Sequence, residues 1–231
     1  METADRINEI LGIKESYKAS EKLMELVYDK KKREKVYKEM LGLFSYDIDY
    51  DWFHEYFMNE QADRKKLKQD FTPDCISDLV SRILEDDVGG VYEPAAGSGG
   101  MLIRKWLSDR NNYSLFKYKP SNHYYVAEEM SDRALPFLIF NMAVRGMNGE
   151  VRHIDTLTRE CKGVFFLQNV KDDYLSYSDI NIMPYNETVE KICNVKFGDF
   201  RYKDHKDTTI EKSSQMLGVD INNLIKRSDE E

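Results

Sequence analysis

A glycine-rich stretch at residues 92–103 is the part of this sequence best suited to binding a ligand. It begins with the acidic residue Glu93 and continues through three glycines into an apolar helical pattern. Glycine allows positive φ angles and lacks the Cβ that would keep a ligand away from the backbone. A strand, a glycine turn and a helix in this order bring backbone amides close to a nucleotide-like ligand. The glycines are Gly97, Gly99 and Gly100.

Further acidic residues follow two strand-like segments downstream. Glu128 and Glu129 come directly after residues 124–127, and Asp155 comes after residues 151–154. In a doubly wound sheet, the acidic residue one βα unit after the glycine turn accepts hydrogen bonds from ribose hydroxyls. The alternatives are two solvent-facing glutamates at the start of a helix and an ordinary turn aspartate.

A capped helix is expected upstream of the glycine turn, after Asp70-Phe71-Thr72-Pro73-Asp74. Thr72 suits the N-cap position and Pro73 the first helical position. Apolar residues at helical spacing follow. These residues alone predict an ordinary helix and no particular function.

The two motifs together resemble those of the modification subunits of type I restriction systems and their relatives. These proteins are DNA adenine-N6 methyltransferases that use S-adenosylmethionine (SAM), and they place a Phe-Thr-Pro element ahead of an acidic Pro-Ala-Ala-Gly-Ser-Gly-Gly turn. This sequence has both elements, at residues 71–73 and 93–100, and the resemblance extends over residues 65–160. It implies a SAM cofactor and DNA as a partner.

The resemblance also implies roles for individual residues. Glu93 lies near the sulfonium of SAM, Glu129 rather than Glu128 holds the ribose, and Asp155 flanks the adenine. Asn141 is similar to a family residue at the end of a helix and is interpreted as structural. The residues that the resemblance places around the cofactor are Phe71, Thr72, Pro73, Glu93, Ala95, Gly97, Ser98, Gly99, Glu129 and Asp155.

The catalytic motif of the family is only partly present. Methyl transfer to adenine N6 needs acceptors for the NH₂ hydrogens and an aromatic ring that stacks on the flipped-out base. The family supplies them with Asn/Asp-Pro-Pro-Tyr/Phe, and the nearest match keeps Pro184 and Tyr185 but has Ile182 at the acceptor position. Asn181, one residue away, would point to the opposite face of a strand. Pro184, Tyr185 and Asn181 are the catalytic candidates, in a catalytic half that is expected to be truncated.

Ile182 leaves several functions open. The chain is expected to be a SAM-dependent DNA adenine methyltransferase, or a catalytically inactive relative that binds SAM or DNA as a regulatory or partner subunit. A methyltransferase for RNA or protein is a third interpretation. A dinucleotide oxidoreductase is favoured less, because the glycines do not follow the Gly-x-Gly-x-x-Gly pattern.

Charge bears on the expected partners. The net charge of −8 over 231 residues argues against a surface that wraps DNA, so one basic face or a partner subunit must supply phosphate contacts. A homo- or hetero-oligomer fits this expectation. Basic clusters at residues 30–33 and 64–68 are interpreted as solvated helix faces, and phosphate contact is the alternative. The cluster at 64–68 is the better candidate for DNA, because it adjoins Phe71-Thr72-Pro73.

Cysteine and histidine usage indicates the compartment. Three widely spaced cysteines and four scattered histidines predict free thiols in the cytoplasm and no metal site. No apolar run is long enough to span a bilayer, so no membrane partner is expected.

The elements that must position these residues are read from hydrophobic periodicity. Residues 1–64 predict a helical N-terminal region with breaks at Gly12 and Gly42. Residues 65–231 predict a SAM-binding α/β domain with a doubly wound, mostly parallel, Rossmann-like sheet. Its strands are expected at 88–92, 124–127, 151–154, 163–167 and 180–185, with an extended segment at 192–202 and a final helix at 208–227.

Overall fold

Six strands of the described residues form one sheet at the centre of the protein. The computed structural model describes residues 3–57, 72, 76–77, 80, 90–113 and 117–208. The strands are β1 (Gly90–Pro94), β2 (Tyr124–Glu129), β3 (Gly149–Ile154), β4 (Glu160–Gln168), β5 (Asp179–Ile182) and β6 (Lys196–Phe197).

The sheet confirms the expected Rossmann-like α/β class. Strands β1, β2 and β3 are parallel neighbours in chain order. Helices α4 (Gly100–Asn111) and α5 (Leu135–Val144) connect them. Since β4 is antiparallel to both β3 and β5, β5 points the same way as the first three strands. The carboxyl ends of β1, β2 and β3 therefore meet at one edge, where ligands of such sheets bind.

A tight hairpin after β3 decides the position of the later strands. The Asp155 carboxylate accepts hydrogen bonds from the N–H groups of Leu157 (2.9 Å) and Thr158 (3.2 Å). Arg159 then takes a left-handed φ of 65°, and the chain returns antiparallel as β4. As a result β5 follows on the β3 side of the sheet, in the order β1-β2-β3-β4-β5.

The N-terminal helices cover α5. They are α1 (Thr3–Leu11), α2 (Ala19–Val27) and α3 (Lys30–Leu43). All ten residues of α5 are buried, as expected for a helix that is apolar on every side and packed between two layers. The three helices share one hydrophobic core with α5 and the sheet. The division into regions at residue 64 stays a prediction, because residues 58–71 lie outside the described part.

Of the two helix breaks expected in the N-terminal region, the one at Gly12 is confirmed and the one at Gly42 is wrong. The chain breaks at Gly12, which has a left-handed φ of 68°. Gly42, by contrast, lies inside α3. The second break comes earlier, at Asp29, whose side chain accepts the Lys32 N–H and so caps α3.

The expected extended segment at 192–202 is wrong in its first part. Residues Glu187–Cys193 form helix α6, because the Asn186 side chain accepts the Val189 N–H (3.0 Å) and caps its first turn. Asn194 ends the helix in a left-handed conformation, and β6 follows. The helix expected at 208–227 lies beyond the described residues.

Two of the four residues in the basic cluster at 30–33 form ion pairs with other parts of the protein. The buried Arg33 donates to the carbonyls of Leu26 (3.1 Å) and Val27 (2.8 Å) and pairs with Asp207. Lys30 pairs with Asp179. These contacts tie α3 to β5 and the chain beyond it, so both side chains act as structural ties. The cluster at 64–68 lies outside the described residues.

Candidate functional site

The glycine turn joins the end of β1 to the start of α4. Ala95, Gly97 and Gly99 have left-handed φ angles of 61°, 59° and 93°. At Gly99 a Cβ would also lie 2.8 Å from the Leu138 Cδ1 atom of α5, so glycine is required there. An alanine at positive φ is strained, and strain of this kind concentrates at functional sites.

Glu129 is the carboxylate that holds the turn. It is the last residue of β2 and is buried; its Oε2 accepts the Gly97 N–H and its Oε1 accepts the Ser131 N–H, both at 2.7 Å. Burial raises the pKa of Glu129, although these N–H groups oppose the shift. The structure therefore brings Gly97 and Glu129 together, as the sequence predicts.

Glu128 has a different environment from its neighbour. Its buried carboxylate accepts two hydrogen bonds from Arg159 (2.7 and 2.8 Å), one from Arg152 (3.2 Å) and one from the Tyr92 hydroxyl (2.9 Å). Burial raises its pKa, but these donors outweigh burial and hold the pKa below the usual value. All its partners are protein side chains, so we interpret Glu128 as a residue that stabilises the sheet.

A cavity of about 330 Å³ adjoins the turn. Its lining includes Thr72, Glu93, Pro94 and Ala95, so three predicted cofactor residues share one wall. Burial raises the pKa of Glu93 to about 8; the Leu102 N–H opposes this shift and Glu129 adds to it. The Glu93 Oε2 atom is buried and has no hydrogen-bond partner among the described residues, which suits a cationic ligand with N–H donors. Phe71 and Pro73 lie outside the described residues.

Ser98 anchors the turn to the N-terminal region. Its hydroxyl donates to the buried Asp51 carboxylate, which also accepts the Asn141 Nδ2–H (2.8 Å). Asn141 donates in turn to the Ser98 carbonyl (2.9 Å) and accepts from Arg145 (3.0 Å). The Ser98 side chain thus holds the turn in place, and the expected approach of its backbone to the cofactor stays a prediction. No local signal identifies Asp51, since its partners lie 47 and 90 positions along the chain.

The ends of β2 and β3 add exposed side chains to this edge. Met130 follows Glu129 and is 60% exposed, a position that the sequence analysis missed. Asp155 forms the turn after β3, and the N–H groups of Thr158 and Leu157 lower its pKa. Asp155 therefore has the contacts of a turn aspartate, which is the alternative interpretation. It lies at the edge where the cofactor is expected.

The catalytic candidates differ in their distance from the glycine turn. Asn181 accepts the N–H groups of Asp207 (3.0 Å) and Thr208 (3.1 Å). The Tyr185 hydroxyl donates to the Lys162 carbonyl (2.9 Å). Three strands separate β5, which contains Asn181, from β1, a span of about 19 Å at about 4.8 Å per step. Tyr185 lies nearer, with its hydroxyl at the start of β4, and the catalytic role of Asn181, Pro184 and Tyr185 stays a prediction.

Two kinds of site are absent from the part of the chain that the structure describes. No group of three or more His, Cys, Asp or Glu side chains is arranged there to hold a metal ion. None of the described helices is long and apolar enough to cross a bilayer.

Comparison with known proteins identifies the family. A model described as N-6 DNA Methylase matches residues 47–217. The chain belongs to the N-6 DNA methylase family. The type I restriction enzyme HindI methylase subunit of Haemophilus influenzae is 31% identical over 103 residues. That alignment covers 41% of this chain and 21% of the relative, so the match spans about a fifth of the relative's length. No solved structure matches.

The N-6 DNA methylase match includes the whole candidate site. It begins at residue 47 and therefore contains Asp51, which bonds Ser98 of the turn. It ends at residue 217 and contains β5 and β6. The family match therefore includes both the glycine turn and Asp51, which contacts the turn.

Proposed function

We propose that this chain binds SAM at the carboxyl edge of β1 and β2 and is a SAM-dependent DNA adenine-N6 methyltransferase. The observation that carries the proposal is the contact between the Glu129 carboxylate and the Gly97 N–H, 2.7 Å apart. It joins a glycine turn and a strand-end carboxylate at the edge where doubly wound sheets bind nucleotides. Membership of the N-6 DNA methylase family supports the same reaction.

The residues present fit the cofactor. SAM supplies a methyl group on a cationic sulfonium, next to an amino acid part that carries an ammonium group. The Glu93 Oε2 atom, which has no hydrogen-bond partner among the described residues, would accept from a cationic group of this kind. The backbone from Ala95 to Gly97 allows close approach, Thr72 lines the cavity, and Glu129 would accept from the ribose.

The proposed acceptor is DNA, and a partner subunit is proposed to share its binding. A net charge of −8 leaves few cations for phosphate contacts. The relative is itself a subunit of a restriction enzyme by name. A cytoplasmic location fits the proposal, because Cys161 and Cys193 are free thiols, as in a reducing compartment.

Two measurements test the proposal separately. Calorimetric titration with SAM tests the cofactor site, and transfer of a tritiated methyl group to mixed-sequence DNA tests the reaction. Heat of binding together with label in DNA is the expected result. If SAM binds and no label reaches DNA, the transferase assignment is wrong and the cofactor assignment stands. If SAM gives no heat, both assignments are wrong.

The burial of Glu93 predicts a dependence of stability on pH. Its pKa of about 8 lies above the ordinary value of 4.5. Between these values the folded protein keeps a proton that the unfolded chain has lost, so the free energy of unfolding falls as pH rises. The expected slope from this group is up to about 1.4 kcal/mol per pH unit. Urea unfolding of the SAM-free parent and of Glu93→Gln across this window measures it, and the variant should lack this contribution.

The same carboxyl predicts proton release when SAM binds. A cationic ligand favours the carboxylate form, so SAM affinity should rise with pH up to about 8. Calorimetry at neutral pH in two buffers of different ionisation enthalpy measures the released proton. Glu160→Gln, at an exposed carboxyl of β4, is the matched control and should behave like the parent. Equal proton release from the parent and Glu93→Gln would contradict the role of Glu93.

A further inference from the structure

An exposed segment of alternating aromatic and basic side chains follows α6. Residues 196–206, here called the ribbon, read Lys-Phe-Gly-Asp-Phe-Arg-Tyr-Lys-Asp-His-Lys. The four lysine and arginine residues are all exposed, and Phe200 is 51% exposed. Aromatic rings interleaved with cations are the usual composition of surfaces that bind unstacked nucleotides.

The ribbon begins at the edge that carries the glycine turn and ends beside β5, where Lys206 pairs with Asn181. Its first residues, β6, pair with the start of β4, which lies at the carboxyl end of β3 because β4 is antiparallel to it. Further along, the Tyr202 hydroxyl lies 2.6 Å from His153 Nδ1. His153 Nε2 lies 3.1 Å from the Met130 carbonyl, directly after Glu129. One chain of contacts therefore links the ribbon to the end of β2.

The ribbon is held rigidly, with one ring left for a ligand. The Tyr202 ring packs edge-on against the buried Phe165, with ring centres 4.9 Å apart. The Tyr202 backbone N–H donates to the Tyr185 hydroxyl (2.8 Å). The Arg201 guanidinium lies 4.5 Å from the centre of the Tyr185 ring. Phe200 rests edge-on against Tyr202 at 4.9 Å. A ring fixed in this way loses little conformational entropy when a base stacks on it.

The lysines of the ribbon are available, unlike Lys30 and Arg33 of α3, whereas Arg201 donates to the Gly198 and Phe200 carbonyls. Within the described residues, no ion pair involves Lys196, Arg201, Lys203 or Lys206. The ribbon also contains two aspartates, so its four cations leave a net charge of +2. On a protein of net charge −8, this segment is locally complementary to a polyanion.

A groove beside Phe200 has room for a base. It measures about 590 Å³, and its apolar lining includes Tyr17, Met24 and Tyr28. Glu21, Glu25 and Asp132 also line it, and their charges disfavour phosphate. The apolar lining therefore favours the base in the groove, and the acidic lining keeps the phosphates on the outer side of the ribbon.

We propose that the ribbon is a nucleic-acid-binding surface, at which an unstacked base packs on Phe200 and the four cations contact backbone phosphates. This inference rests on the proposed function for the identity of the polymer as DNA. It assigns phosphate contact to residues 196–206 in place of residues 30–33, whose Lys30 and Arg33 are held in internal ion pairs.

Fluorescence anisotropy of a labelled single-stranded oligodeoxynucleotide tests the proposal. Phe200→Ala should weaken binding about tenfold, because stacking of one base contributes about 1–3 kcal/mol. The triple variant Lys196→Gln, Arg201→Gln, Lys203→Gln should reduce the slope of log affinity against log salt by about 2, at about 0.7 per phosphate contact. A duplex of the same sequence should be bound more weakly than the single strand and should lose less affinity with Phe200→Ala.

Matched controls carry the same chemical changes elsewhere. Tyr46→Ala removes an aromatic ring that is 75% exposed. The triple variant Lys31→Gln, Lys35→Gln, Lys38→Gln removes three exposed charges of α3. Both controls should bind the oligonucleotide like the parent. The proposal is overturned if the parent does not bind, if the ribbon variants bind like the parent, or if the controls weaken binding equally.

Calorimetry with SAM on each variant separates this inference from the proposed function. Phe200→Ala should keep the parent's SAM affinity, which shows that the fold is intact. SAM binding without oligonucleotide binding overturns the ribbon alone. Loss of SAM binding by the parent itself overturns the proposed function, whatever the anisotropy shows.

Discussion

Replacing Glu129 with glutamine is expected to lower SAM affinity by about 100-fold or more, equivalent to about 2.7 kcal/mol. The carboxylate accepts two backbone N–H groups, from Gly97 and Ser131. A glutamine has only one oxygen, so its NH₂ group would face one of these donors. The unpaired buried N–H lowers the free energy of unfolding by about 1–3 kcal/mol. SAM affinity falls because the turn loses the contact that positions Gly97 and because the acceptor proposed for the ribose is lost. Isothermal titration of SAM into the variant measures the change.

Glu128→Gln is the control for this prediction. The two residues are adjacent in sequence and both are buried, but Glu128 pairs with Arg159 and Arg152. Its replacement should lower the free energy of unfolding and leave SAM affinity within about twofold of the parent. Normal SAM binding by Glu129→Gln, or equal losses in the two variants, would contradict the role assigned to Glu129.

The part of the site that could be predicted from the sequence is the part that local chemistry determines. The glycines at 97 and 99 take the left-handed conformations expected of them, because no other residue adopts these without strain. The alternation of apolar segments gave β1, α4 and β2 in order. Their right-handed crossover places the end of β2 next to the turn, where Glu129 bonds Gly97.

The order of the later strands could not be predicted in the same way. Similarity to the family motif assigned Pro184 and Tyr185 to catalysis. Where these residues lie in the fold, however, depends on the pairing of the strands. The hairpin after β3 decides the pairing, through two hydrogen bonds to Asp155. A turn is one interpretation of Asp155 from the sequence, yet a turn aspartate does not reveal the direction of the strand that follows.

The ion pairs of two cations in the basic cluster of α3 could not be predicted from the sequence. Lys30 and Arg33 find their partners 149 and 174 positions along the chain, at Asp179 and Asp207. Charge patterns within a segment predict a solvated or ligand-binding face, since nothing local reveals a distant carboxylate. Conversely, the ribbon's cations stay unpaired within the described residues, and only the structure distinguishes the two segments.

Replacing Asp51 with alanine is expected to lower the free energy of unfolding by about 3 kcal/mol or more, because three buried donors lose their acceptor at about 1–3 kcal/mol each. The Asp51 carboxylate accepts from the Ser98 hydroxyl, the Asn141 amide (2.8 Å) and the Phe53 N–H (2.9 Å). It is also a countercharge for the buried Arg145, whose pKa burial lowers to about 10 and Asp51 raises. Urea unfolding measures the loss.

Asp49→Ala provides the control, because that carboxylate belongs to the same loop but its side chain is 53% exposed. It should change the free energy of unfolding by no more than about 0.5 kcal/mol. Asp51→Asn should fall between the two, since an amide oxygen at the Oδ1 position still accepts two of the three hydrogen bonds. Equal stability of Asp51→Ala and Asp49→Ala would contradict the network.

The functional consequence of Asp51→Ala follows from its bond to the glycine turn. Ser98 lies between Gly97 and Gly99, so freeing its hydroxyl loosens the backbone that is proposed to approach SAM. SAM affinity should therefore fall in Asp51→Ala under conditions where the variant is still folded, and stay at the parent's value in Asp49→Ala. Unchanged affinity in the folded Asp51→Ala variant would mean that Glu129 alone positions the turn. A loss would make the N-terminal region a working part of the cofactor site, consistent with a family match that begins at residue 47.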